Sequence, residues 1–173
     1  AGYRTSGSQP GYDGAGAALR GLAAWTNDPG SNINAMHVGS TTAGFTQDGV
    51  NAIVFNSSTA VPAGAIGYSQ IYSSGIHSYK GENFSPIVEG DVVMRSGLAV
   101  SASVFEEAVT HELGHSLGFR HSNEGTPSAS AAIMNSMTSW VPQRAESSAQ
   151  VASLTQSSAW RSSTIWSRTR SSS

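Results

Sequence analysis

The stretch His111-Glu112-Leu113-Gly114-His115-Ser116-Leu117-Gly118-Phe119-Arg120-His121 constrains this chain more than any other. It spells H-E-x-x-H-x-x-G-x-x-H. Residues four apart on an α-helix lie one turn apart on the same face, so His111 and His115 can address a single metal ion. Glu112 sits beside the first imidazole and can act on a water at that ion without being a ligand itself. His121 is too distant to join them if the helix simply continues. Gly118 resolves this, because glycine takes positive φ freely and can end the helix in a left-handed cap that turns the chain back. Three neutral imidazoles leave one tetrahedral position of Zn²⁺ for water, the arrangement of a catalytic zinc. The spacing therefore predicts one Zn²⁺ held by His111, His115 and His121, with Glu112 as general base.

A surface helix that merely carries histidines has no need of a glycine and a third histidine at fixed offsets. Nor does it need the methionine turn that follows, Ala132-Ile133-Met134-Asn135. Met134 is expected as an apolar floor beneath the metal, since a thioether is a poor partner for Zn²⁺. Upstream, Ser103-Val104-Phe105-Glu106 fits a capping box. Val104, Phe105, Ala108, Val109, Leu113 and Leu117 follow at helical spacing, so the motif helix should be packed on one side. Phe119 is placed to make the apolar contact that accompanies such a cap.

The long zinc motif and the methionine turn resemble those of the metzincin zinc peptidases. Within that clan, His111 to Gly118 followed by His121-Ser122 is similar to the matrixins. Gly118-Phe119-Arg120-His121, with Gly125-Thr126-Pro127 and Ile133-Met134-Asn135, resembles the bacterial dual-action HEIGH metallopeptidases. The resemblance implies a secreted bacterial zinc endopeptidase cutting protein or peptide substrates. It also departs from the clan in places. The chain has no cysteine to act as a latency switch, His37 and His77 lack the companions of a structural zinc site, and Ser136 stands where some clan members carry a tyrosine ligand.

The resemblance further implies an α/β fold of the α+β metzincin-like kind. Its parts would be a twisted, mostly parallel sheet with one antiparallel edge strand, a backing helix, an active-site helix, and a small lower subdomain with a C-terminal helix. In the sequence, residues 1–6 offer a short first strand. Gly11–Trp25 should form the backing helix, with Leu19, Leu22, Ala23 and Trp25 at apolar positions, stopped by Asn27-Asp28-Pro29-Gly30. Ile33–Val38, Asn51–Phe55, Ile66–Tyr72 and Pro86–Met94 are strand-like, and Ile66–Tyr72 is the candidate for the antiparallel edge. The expected organisation is a single catalytic domain over 1–160, divided at Gly118 into an upper part (1–118) and a lower part (119–160). Ala145–Ala159 would be the closing helix, and 161–173 a Ser- and Arg-rich tail or linker.

Composition narrows the partners. A formal net charge of −2 with 12% charged residues gives no nucleic-acid footprint. No apolar run is long enough to span a membrane, and the chain is expected to act as a monomer. Low lysine content with abundant Ser, Thr, Asn and Gly suits an exported protein. An extended substrate would add to the edge strand through backbone hydrogen bonds. Asn135, Met137 and Trp140 are expected in the pocket for the side chain just past the cut bond. Calcium is a second candidate cofactor, because Asp48, Glu82, Glu89 and Asp91 lie in or near loops that could offer oxygen ligands. Two rival functions are a non-catalytic zinc-fold binding or adhesion module and a zinc hydrolase acting on non-peptide amides. The retention of Glu112 argues against the first and the methionine turn against the second.

Overall fold

A computed structural model describes residues 1–29, 31–58, 61–121 and 134. In chain order the elements are β1 (Gly2–Ser6), α1 (Gly14–Thr26), β2 (Met36–Ser40), β3 (Asn51–Ser57), β4 (Gly67–Ser73), β5 (His77–Tyr79), β6 (Glu82–Phe84), β7 (Ile87–Arg95) and α2 (Ala102–Ser116). Five strands make one sheet in the order β2-β1-β3-β7-β4. Every pairing is parallel except that of β4 with β7, so the antiparallel strand stands at the edge, as the sequence predicts for Ile66–Tyr72. The β5–β6 hairpin between β4 and β7 forms a separate two-stranded sheet that the sequence reading did not anticipate.

Strand periodicity assigns the faces of β7. Gly90, Val92 and Met94 alternate with Glu89, Asp91 and Val93. Gly90 faces α2 so closely that a Cβ there would meet the Ser116 carbonyl oxygen, whereas the Glu89 and Asp91 carboxyl groups meet the β2–β3 loop. Helix α1 lies against β1 and β2, α2 against β7 and β4, and the two helices pack on each other. The core between them includes Tyr3, Leu22, Trp25, Ile53, Phe105 and Leu113, all at most 5% exposed. Burying a Leu, Ile or Phe side chain contributes about 1.5–3 kcal/mol each, which makes this layer the main support of the helix that carries the motif.

Helix boundaries differ from expectation where a polar side chain takes the first free amide. Helix α1 starts at Gly14 rather than Gly11 because Asp13 caps it, its carboxylate accepting from the Gly16 amide at 2.9 Å. Its buried stripe is Ala17, Ala18, Gly21, Leu22 and Trp25, while Leu19 and Ala23 are exposed. Helix α2 is capped by Ser101, which accepts from the Val104 amide at 3.3 Å. The capping box of Ser103 with Glu106 does not form, and the Glu106 carboxylate instead accepts from Arg20 of α1 at 2.8 Å. Strand β2 begins at Met36 instead of Ile33. Ala35 exchanges two hydrogen bonds with the Thr26 hydroxyl, tying residues before Met36 to the end of α1 and away from the sheet.

Candidate metal centre

Helix α2 brings His111 and His115 onto one face, and the cap after it turns the chain to His121. The Gly118 amide donates to the His115 carbonyl at 2.8 Å, and the Phe119 amide to the Gly114 carbonyl at 3.0 Å. These are the two bonds of a Schellman cap. Gly118 has φ +96°, a region that residues with a Cβ avoid. Phe119 then stacks on Trp25 with ring centroids 4.8 Å apart, fixing the exit of the chain against the core. Trp25 is itself held, its indole donating to the Thr110 carbonyl at 2.9 Å.

One candidate ligand atom from each of His111, His115 and His121 lies within 4.8 Å of the other two. The Nε2 atoms of His115 and His121 are 3.1 Å apart, close to the spacing of roughly 3.4 Å that tetrahedral bonds of about 2.1 Å would give. The three rings meet edge-on or tilted, with centroids 4.6 to 5.4 Å apart, so their nitrogens converge without the rings stacking. The other ring nitrogen of His115, Nδ1, is 2.8 Å from the Phe119 carbonyl oxygen and donates to it, which leaves Nε2 unprotonated for a metal. His111 is buried, while His115 and His121 are half-buried, so the site opens to one side. An all-imidazole donor set of this shape fits Zn²⁺.

Glu112 points away from the helix core towards β4. Burial pushes its carboxyl up to about 7, while the Ser69 hydroxyl and nearby His121 act in the opposite direction. Met134 is buried in the core, and its sulfur lies against Gly114 of the motif helix. Asn135, Met137 and Trp140, the candidate pocket residues, lie outside the described residues, as do the expected helix Ala145–Ala159 and the tail.

Of the candidate calcium ligands, Glu89 and Asp91 have other partners. Glu89 accepts from the Asp48 and Gly49 amides at 3.0 and 2.7 Å, and Asp91 from the Thr46 and Ala52 amides at 3.1 and 2.8 Å. Glu82 is exposed on β6. Among the described residues, the histidine trio is the group of three or more candidate ligands that converges. Sequence reasoning missed one residue at the site altogether, Ser69 of β4, which contacts Glu112. Nothing in its local sequence marks it.

A mostly parallel sheet with one antiparallel edge strand, backed by a helix and crossed by another that ends in three convergent histidines, defines a metzincin-like zinc metallopeptidase. The chain belongs to the family of dual-action HEIGH metallo-peptidases, whose family model matches residues 25–136. A comparison with curated proteins finds no match. Among the described residues, no helix is long and apolar enough to cross a membrane.

Proposed function

We propose that this metallopeptidase is a secreted bacterial endopeptidase of metzincin type, with one Zn²⁺ held by His111, His115 and His121 and Glu112 as general base. The observation that carries the reading is the convergence of three imidazoles at the end of a helix whose Glu112 turns its carboxyl towards the edge strand. When bound, Zn²⁺ acidifies a water and polarises the carbonyl under attack. Glu112 takes the proton as the water attacks and passes it to the leaving amine. His115 is held in its ligating tautomer by the Phe119 carbonyl. Among the described residues, no strand pairs with the outer edge of β4, and a peptide would add there in extended form. The low-lysine composition rich in Ser, Thr, Asn and Gly supports the assignment to an exported enzyme.

Incubating the zinc-loaded chain with casein, with and without a chelator, tests the activity. Glu112→Ala should remove nearly all turnover and keep its zinc, and His121→Ala should lose zinc. Wild-type turnover in the Glu112 variant would remove the general-base assignment, and unchanged zinc in the His121 variant would remove that ligand. A zinc-bound wild-type protein that cuts nothing would favour a binding module instead.

A further inference from the structure

We infer that Ser69 is a positioning residue for Glu112, holding one carboxylate oxygen from the strand on which substrate would dock; this rests on the function proposed above. The Ser69 hydroxyl reaches two acceptors on the same residue, the Glu112 main-chain carbonyl at 2.6 Å and its side-chain Oε2 at 2.8 Å. The carbonyl belongs to the backbone of α2 and cannot reorient, so the shared hydroxyl proton keeps the serine oxygen within hydrogen-bond reach of Oε2. Ser69 leaves Oε1 for the reacting water.

The strand is shaped for this approach. Two residues earlier, a Cβ on Gly67 would come 2.8 Å from Glu112 Cγ and 3.0 Å from Met94 Sδ. The bare glycine lets the glutamate stem lie on β4, and Ser69 supplies a donor at its tip. The hydroxyl's single proton is shared between the two acceptors, the Glu112 carbonyl and Oε2.

The test compares Ser69→Ala, Ser69→Thr, Glu112→Gln and the Ser69→Ala/Glu112→Gln double variant, all zinc-loaded, for kcat, KM and zinc content. Ser69→Ala should keep zinc and KM while kcat falls about tenfold to a hundredfold, the scale of a misaligned catalytic group. Ser69→Thr, which keeps the hydroxyl, should recover most of the loss. In the Glu112→Gln background, Ser69→Ala should add no further loss. On metal-free protein, the urea midpoints of Ser69→Ala, Glu112→Ala and their combination should shift non-additively, as expected for directly coupled side chains. Unchanged kcat in Ser69→Ala, a rise in KM alone, a threonine variant no better than alanine, or additive midpoints would each overturn the inference. Failure of the proposed function would show differently, as full turnover in Glu112→Gln or as turnover insensitive to chelator.

Discussion

One hydroxyl, that of Ser69, sits 2.8 Å from the Glu112 carboxylate and 2.6 Å from the same residue's carbonyl, joining the edge strand to the motif helix across 43 positions of sequence. That contact and the burial around it set Glu112 in an environment unlike that of an exposed glutamate, with consequences for stability as well as chemistry.

Burial moves the Glu112 carboxyl from 4.5 to about 7, so in metal-free protein the folded state favours the protonated form. The associated stability is fully present below the unfolded value and is lost as pH rises through the folded one. Glu112→Gln cannot ionise, so relative to wild type it should gain on the order of 3 kcal/mol between about pH 4 and about pH 8. Urea unfolding in chelator at both ends of that range measures the difference. Parallel pH profiles for the two proteins would contradict the burial argument.

Gly118, at φ +96°, makes the turn that returns His121 to its partners. Gly118→Val should carry strain of about 1–3 kcal/mol. It should also weaken zinc binding without touching a ligand. Competition with a chromophoric chelator reads the affinity. A valine variant that binds zinc as tightly as wild type would show that the turn tolerates a side chain.

Gly114 leaves room for the core beneath the motif. A Cβ there would collide with the Met134 sulfur and come 2.7 Å from Trp25 Cζ2. Gly114→Ala should therefore destabilise the protein by about 1–3 kcal/mol through overpacking. Adding Met134→Ala should return part of that loss, because the methionine is one of the two obstacles. If the double variant is no better than the sum of the singles, the collision is relieved elsewhere.

Asp91 is fully buried, and burial, reinforced by Glu89 and Asp48, pushes its carboxyl up to about 6 even though two amides donate to it. Asp91→Ala would leave the Thr46 and Ala52 amides without that acceptor, at about 1–3 kcal/mol for a buried group. Faster amide exchange at Thr46 and Ala52, with zinc content unchanged, is the expected result. Unaltered exchange would mean that the loop is held by other contacts.

The parts of the site legible in the sequence are those governed by local geometry. His111, Glu112 and His115 share consecutive turns of one helix, and Gly118 ends it, because helical pitch and glycine's access to positive φ act within a few residues. The apolar spacing from Val104 to Leu113 marked the packed side of that helix, since period and burial are the same fact there. Which serine caps α2 was less legible. Ser101 and Ser103 are both competent, and the choice of Ser101 leaves Glu106 to pair with Arg20 of another helix.

The sequence offers Glu89 and Asp91 as candidate oxygen ligands for calcium. The β2–β3 loop meets their face of β7 with three backbone amides, those of Thr46, Asp48 and Gly49, and β3 adds the Ala52 amide. Ser69 gave no signal at all, being a small polar residue in a strand. Its meeting with Glu112 depends on β4 pairing antiparallel with β7 and on α2 lying across both. The sequence alone determined the three histidines, the glutamate beside them and the turn between them, because those interactions close within one helix and its cap. Only the tertiary structure decided what Glu112 touches, because strand register and helix placement are set by burial of the whole sheet, and neither is encoded near Ser69.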